Sequence, residues 1–406
     1  MKTVKKCVFV VATILGIVAT TALKAQTTFS EGVFNYEVNP DGTTVTITGY
    51  DGSEIEDLVI PTAVTHEGTD YNVTAIGDYS FFMKTNLTGS LTIPDGIITI
   101  GEAAFYKCTG ITGTLTIGST VTEIAPMAFD SSGISGDLVI PNSVTEVGHR
   151  AFCLCGNLTG SLTLPNTMTL IDDYAFCSPF TGELVIPNTV TEIYSYAFSG
   201  SQFSTITIGE NVTKIWQNAF EDNDVIEKVV IPNSVVEMER WIFRNCTALD
   251  TLVIGSGMVN MNDRCLHDTQ LSNVTILAED PPYTENLVAD YTINSLIVPC
   301  ESLSVYHNSE WAQYFSEIIE DCGHEAVSEL DEDLVRVFPN PTSGVVKIVA
   351  EGIENVSIYN ILGQKIFTSE VAEDSLEYDF DGSEAGVYLI KVETRDGVAT
   401  KKVRVE

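Results

Sequence analysis

Residues Leu91 to Cys108 read LTIPDGIITIGEAAFYKC. An apolar alternation stops at a proline, a second alternation follows, and the phrase closes on Ala104-Phe105 and a cysteine. The same phrase recurs along the chain. Its opening tetrad returns as LVIP at Leu58 and Leu138, LTIG at Leu115, LTLP at Leu162 and LVIP at Leu184. It continues as ITIG at Ile206, VVIP at Val229 and LVIG at Leu252, with degenerate copies at Val274 and Leu296. The first gap, from Leu58 to Leu91, is the longest; from Leu91 onward the copies follow one another at a nearly constant interval. The second half repeats as VTEIAPMAF ending at Phe129, VTEVGHRAF at Phe152, VTEIYSYAF at Phe198 and VTKIWQNAF at Phe220.

A period this constant predicts a solenoid, because one unit cannot bury its own apolar face and neighbours must stack to make a continuous core. Alternation turns Leu91 and Ile93 inward and Thr92 outward. Proline ends the ladder, since it has no N–H to donate. In the second run Val121 and Ile124 face inward. Phe81, Phe105, Phe129, Phe152, Phe176, Phe198, Phe220 and Phe243 are expected to form one aromatic column. About eleven units over residues 58–299, at roughly 4.7–4.9 Å per stacked strand, make a rod about 50 Å long. Residues 26–57 alternate around Asp41-Gly42, a hairpin signal, and are expected to cap the N-terminal end. The fold class is mainly β: a solenoid followed by a small Ig-like sandwich.

The repeat resembles the BspA-like group of leucine-rich repeats, whose pattern is close to LxIPxxVTxIGxxAFxxCxxL. The resemblance covers most units from Leu58 to about Leu252. It implies a cell-surface or secreted protein that binds other macromolecules, with adhesion to host proteins or other cells as the function of some members. It names no ligand. Residues 300–322 look like the C-terminal cap of such solenoids, a helix closing the open core, with Cys300 and Cys322 able to bridge it.

Residues 1–25 read as a signal peptide: Lys2, Lys5 and Lys6, then an apolar run from Cys7 to Leu23. Ala25 is the expected last residue removed and Gln26 the new N-terminus. No second apolar run is long enough to span a membrane. The net charge is −36; the leader holds four of the 20 basic residues, leaving 16 basic against 56 acidic groups and a net −40. Such a chain repels nucleic acid and anionic membrane. Glu123, Glu146, Glu192 and Glu237 share one repeat position with Lys214 among them, but no Asp-rich calcium loop accompanies them.

Eight cysteines remain after the leader, and export permits disulfides. Cys153 and Cys177 follow the column phenylalanine in consecutive units; a bridge between them and two separate thiols are both open. Cys108, Cys155 and Cys246 sit where small buried residues belong. His66, His149, His267, His307 and His324 are scattered, and Cys265-x-His267 and Cys322-x-His324 are half-sites without a second half. No nucleophile elbow or phosphate loop occurs. The expectation is no enzyme, no cofactor and no metal.

After a short acidic linker, residues 323–333, the repeat does not resume. Residues 334–406 are short alternating strands between turn residues, the pattern of a small β-sandwich. This segment resembles the type A C-terminal sorting domain of type IX secretion. The matching residues are Pro339, Asn340 and Pro341, then Gly344, Tyr359, Asn360, Gly363 and Gln364, then Gly386 and Tyr388, and finally Lys401 and Lys402. The resemblance implies recognition by the type IX machinery of a Gram-negative bacterium. It also implies cleavage in or near 323–337, and attachment to the outer surface or release.

The outward residues of the first strand are Thr92, Thr116, Val139, Thr163, Val185, Thr207 and Val230. They form an expected flat ladder of β-branched residues that suits strand propensity, and it also suits a broad, low-charge docking face for an unidentified host or bacterial surface macromolecule. Tyr194, Tyr196, Trp216 and Trp241 near the turns are further candidate anchors, although half-buried packing explains them equally. The competing functional reading is a structural cell-envelope spacer with no dedicated ligand.

Overall fold

The computed structural model describes residues 27–288, 291–322, 335–342, 344–359, 365–371, 374–380, 383, 386–394 and 397–405. The leader with Ala25 and Gln26, the linker, and Asn360, Gly363 and Gln364 lie outside the described residues. The chain divides into two units, Met1–Leu296 with Val305–Ile318 and Ile297–Ser304 with Ile319–Glu406.

In the first unit each repeat is one coil. Two short strands lie on its sides, and most pair in parallel with their counterparts one coil on. Leu91 stands opposite Leu115, Thr92 opposite Thr116 and Ile93 opposite Ile117. On the other side Thr99, Glu123 and Glu146 form a row. Alternation sorts the side chains as expected: Leu91, Ile93, Val121 and Ile124 are fully buried. Burying a Leu or Ile side chain is worth about 1.5–3 kcal/mol, and each coil repeats several such burials.

The eight phenylalanines form the expected column. Rings from Phe81 to Phe243 stack in sequence at 4.9, 5.3, 5.1, 5.9, 5.8, 5.6 and 5.7 Å, each pair within 10° of parallel. The cysteines three positions on have a definite use. The Sγ of Cys108, Cys155 and Cys246 donates to the carbonyl of the preceding coil's column residue, Phe81, Phe129 and Phe220, at 2.9, 3.0 and 3.2 Å. Burial pushes all three thiols up to about 12, so they stay protonated and serve as donors. Ser178 does the same for Phe152 with its hydroxyl, at 2.6 Å.

The turn into each column residue carries no glycine. Met127, Arg150, Tyr174, Tyr196 and Trp241 occupy the left-handed region, at φ 56, 58, 55, 57 and 59°. This conformation costs an L-residue about 1–2 kcal/mol. Stacking offsets it, because each such N–H reaches a carbonyl of the next coil: Met127 to His149 at 2.8 Å, Arg150 to Asp173 at 3.0 Å and Tyr174 to Ser195 at 2.9 Å.

The N-terminal end departs from a single hairpin. Strands Thr28–Glu31, Phe34–Val38 and Thr44–Tyr50 make a three-stranded antiparallel meander. A second hairpin, Ala63–His66 with Thr69–Ile76, fills the long first gap between Leu58 and Leu91 and docks on the meander in parallel. Together they roof the phenylalanine column, with Tyr50 5.7 Å and Phe34 6.2 Å from the Phe81 ring. Asp41 fastens the meander's second turn by accepting the Thr44 hydroxyl at 2.6 Å and the N–H groups of Thr43 and Thr44 at 2.7 and 2.8 Å. These bonds, the Thr44 hydroxyl foremost, hold its carboxyl down to about 2 from an ordinary 3.8. A depressed carboxylate stabilises the fold above its unfolded pKa and loses that contribution as pH falls through the folded value. The turn should therefore hold at pH 4 and loosen toward pH 2. Amide exchange at Thr43 and Thr44, followed by NMR, tests this; loosening centred at 3.8 would contradict it.

The C-terminal end corrects the expectation of a closing helix. Only Leu303–His307 is α-helical; a 3₁₀ turn, Glu310–Tyr314, follows, and Phe315–Asp321 is a strand at the end of the sheet. Ser309 stops the helix by capping the 3₁₀ turn, accepting from the Trp311 N–H, and the β-branched Ile318-Ile319 pair favours extension. Trp311 and Tyr306 are the plug: both are buried, and they donate to Pro282 O at 2.8 Å and Ala278 O at 2.9 Å.

The second unit contains two antiparallel sheets. Arg336–Phe338, Val345–Val349 and Ser375–Asp379 form one; Lys365–Glu370, Ile353–Tyr359, Gly386–Thr394 and Gly397–Val405 form the other. Val346, Ile348, Val356, Ile358, Ile390, Val392 and Val403 make the core between them. Cys300 and Cys322 are joined by a disulfide with Cα atoms 4.7 Å apart.

Candidate functional site

The outward ladder lies on the solenoid surface. Thr116, Val139, Thr163, Val185, Thr207 and Val230 are exposed and Thr92 is half-buried. The three valines keep 58%, 52% and 49% of their surface in water, so the strip is apolar as well as accessible. Its backbone groups are used up by stacking: Ile140 N–H reaches Thr163 O at 3.0 Å and Ile186 N–H reaches Thr207 O at 2.9 Å. Within each ladder the strip therefore presents side chains rather than a free edge.

It is not one uninterrupted sheet. Ile55–Val59 to Leu115–Ile117, Leu138–Val139 with Leu162–Thr163, Thr181–Val185 with Gln202–Thr207, and Lys228–Ile231 onward are separate ladders. Each break falls at a coil whose length differs from that of the coil before it. Leu115 to Leu138 is shorter than Leu91 to Leu115, and Leu162 to Leu184 is shorter than Leu138 to Leu162. Ile206 to Val229 is longer than Leu184 to Ile206. A change of coil length is not sufficient for a break, since Leu138 and Leu162 pair across one, but the flat ladder expected from the sequence is interrupted. Where Thr181–Val185 and Gln202–Thr207 end side by side, a recess of about 500 Å³ opens among Val185, Pro187, Asn188, Thr207, Gly209 and Glu210.

The turn aromatics form a second strip and are half-buried. Tyr174 stacks on Tyr196 at 4.5 Å, and Tyr194 stacks on Trp216 at 5.5 Å. Lys214 Nζ lies 3.7 Å from the Trp216 ring centre, and Trp216 Nε1 donates to Glu192 Oε2 at 2.9 Å. Arg240 and Arg244 flank Trp241 at 5.4 and 5.7 Å. These rings already have intramolecular partners, which favours packing over anchoring.

The glutamate row does not assemble a cation site. Glu123 faces Glu146, but Leu170 occupies the row one coil on. Glu192 and Glu237 are separated by Lys214, whose Nζ is 3.1 Å from Glu237 and 3.2 Å from Glu239. Among the described residues the one convergent set of three potential ligands is Cys300, Glu320 and Cys322, and its sulfurs are spent in the disulfide. Cys265 is buried and its thiol is pushed up by desolvation, while His267 pairs with Asp268 at 3.3 Å.

Sequence position alone does not reveal a polar row running one residue behind the phenylalanine column. Asp130 is buried and accepts from Arg150 Nε at 2.7 Å. Cys153 and Cys177 follow it in the next two coils, both as thiols. The Cys153 thiol hydrogen-bonds the Cys177 sulfur, which with burial raises Cys153; the same bond, aided by the Arg150 charge, holds Cys177 down.

In the second unit the motif residues converge on the last strand. Asn340 Nδ2 donates to Lys402 O at 2.7 Å, and its Oδ1 accepts from Arg404 N–H at 3.0 Å. Thr342 N–H adds a bond to Arg404 O at 2.8 Å. One side-chain amide thus replaces a strand's donor and acceptor where Pro339 and Pro341 offer no N–H. A recess of about 420 Å³ beside it is lined by Arg336, Phe338, Asn340, Lys401 and Lys402 among others. Tyr359 pairs with Leu389, next to Tyr388, which packs 4.9 Å from Phe380. Gly386 opens that strand, and Gly344 directly precedes Val345–Val349.

Residues 74–179 and 171–281 match the family model described as the BspA type leucine rich repeat region, in six copies. Residues 336–406 match the secretion system C-terminal sorting domain. Among solved structures the chain is similar to a leucine rich cell surface protein from Faecalibacterium prausnitzii, at 22% identity and a TM-score of 0.46, over 73% of this chain and 95% of that one. A leucine-rich repeat protein from Bacteroides ovatus is 17% identical, with a TM-score of 0.42, over 72% and 99% of the two chains. The pneumococcal vaccine antigen PcpA is 17% identical, with a TM-score of 0.41, over 73% and 99%. No curated protein matches the chain. No enzymatic family is indicated. Among the described residues no helix is long and apolar enough to cross a membrane.

Proposed function

Because the chain belongs to the BspA-type leucine-rich repeat proteins and ends in a secretion-system sorting domain, we propose that it is a non-catalytic, adhesin-like module that binds a protein or glycan partner through its Thr/Val ladder. The sorting domain means secretion or outer-surface attachment, with handling by the type IX machinery. The observation that carries the binding reading is the exposed, uncharged strip of Thr116, Val139, Thr163, Val185, Thr207 and Val230. Residues 27–322 hold 8 basic and 39 acidic side chains, so a charge-free strip stands out on this background. Contact there desolvates methyl groups rather than carboxylates, which favours association. Charged residues are depleted at the core of protein interfaces for the same reason. The recess at Val185 and Thr207 would receive a protruding partner group.

The test is a binding screen of the purified full-length chain against matrix glycoproteins, mucin and whole bacterial cells, with and without calcium. Saturable binding to one class is expected, weakened about tenfold or more by Val139→Lys with Val185→Lys, as for loss of an interface centre. Uniform absence of binding by the folded protein would favour a structural spacer instead.

A further inference from the structure

We propose that Cys153 and Cys177 form a redox modification site: a buried dithiol between adjacent coils that a disulfide donor converts to a disulfide in the exported protein. The coils are in register at this point. Phe152 N–H reaches Ala175 O at 2.9 Å and Leu154 N–H reaches Cys177 O at 2.8 Å, so residues 152–154 lie directly against residues 175–177. Strands stacked in this way are about 4.7–4.9 Å apart, inside the roughly 4.4–6.8 Å that a disulfide spans between Cα atoms. The two thiols already shift each other's titration, in opposite directions.

The two thiols differ in a way that assigns roles. Cys177 is half-buried and Cys153 is fully buried, so a donor meets Cys177 first. The bond from Cys153 and the Arg150 guanidinium, itself held by Asp130 at 2.7 Å, favour a thiolate at Cys177. A thiolate is the nucleophile in disulfide exchange. Cys108, Cys155 and Cys246 instead spend their S–H groups on carbonyls and are fully buried.

The step balances with a disulfide of a small thiol or of a thiol oxidoreductase as oxidant. The Cys177 thiolate attacks one donor sulfur, forming a mixed disulfide and expelling a donor thiolate. Cys153 releases its proton to solvent, and its thiolate attacks Cys177 Sγ and expels the second donor thiolate. Two protein thiols are oxidised to one disulfide, and one donor disulfide is reduced to two thiols.

The site also has a structural consequence. The paired strands opposite the ladder end at Glu146–Val147 and begin again at Leu170–Ile171. Cys153 belongs to the coil before that break and Cys177 to the coil after it. A bond between them would staple the one junction where pairing on that side lapses among the described coils.

The test is titration of the full-length protein with oxidised and reduced glutathione, followed by alkylation in denaturant and peptide mapping without reduction. One new cross-linked peptide pair, containing Cys153 and Cys177, is expected. In the reduced protein iodoacetamide should label Cys177 at least about tenfold faster than Cys155 at neutral pH. Cys153→Ser should leave Cys177 as a lasting mixed disulfide with glutathione, because the resolving thiol is gone. Full alkylation of both cysteines after oxidation would overturn the proposal. So would a lasting mixed disulfide at Cys177 in the unsubstituted protein.

Discussion

Phe198→Ala should lower the stability of the solenoid by about 3–5 kcal/mol, the cost of emptying a buried aromatic site. The ring is fully buried. It stacks on Phe176 and Phe220 at 5.8 and 5.6 Å and meets Phe203 edge-on at 6.2 Å. Each aromatic pair adds roughly 0.5–1.5 kcal/mol beyond burial. The surrounding coils cannot close the gap, because their spacing is set by backbone bonds such as Phe198 N–H to Ala219 O at 2.9 Å. Stability in a solenoid propagates through nearest-neighbour contacts, so an interrupted column should also broaden or split the transition. Urea unfolding followed by circular dichroism measures both effects. Phe82→Ala is the control: that ring is 38% exposed and its loss should cost below about 1 kcal/mol. Equal costs for the two variants would mean the column is not the core.

Val403→Asp should unfold the sorting domain and remove the protein from the cell surface. Val403 is fully buried in the core cluster, on the strand that Asn340 and Thr342 clamp. A carboxylate there has no partner, and burying an unpaired charge costs several kcal/mol. That is most of what a domain of about 70 residues has to spend. The solenoid has its own core and should keep its unfolding transition. The expected result is near-normal solenoid stability with surface display down at least about tenfold. Val387→Asp, at a site 41% exposed, should leave the domain folded. Undiminished display of a Val403→Asp protein with an unfolded sandwich would separate export from the folded domain.

Much of the architecture was legible in the chain. The tetrad and the Ala-Phe pair marked the inward residues because alternation acts within a few residues and needs no knowledge of the partner coil. The same holds for the phenylalanine column. Three features were read only in outline. The long first gap, Leu58 to Leu91, hid a second hairpin, because His66-Glu67-Gly68-Thr69 interrupts a unit rather than resembling one. The C-terminal cap was expected to be a helix, and the sheet edge drew Phe315–Asp321 into a strand. The Thr/Val ladder was expected to be flat, and pairing between some neighbouring coils lapses, which divides it.

The amino-acid sequence by itself determined the period, the buried set and the change of architecture near residue 335, since each depends on the local order of apolar, polar and turn residues. Tertiary structure alone decided which groups from different coils or strands meet. Nothing in the order of residues puts Arg150 against Asp130, or Asn340 against the backbone of Lys402 and Arg404. Those meetings depend on the register between segments well separated along the chain, as Asn340 is from Arg404. They also depend on left-handed turns at residues as large as Tyr196 and Trp241, which local preference disfavours and only stacking against the next coil maintains.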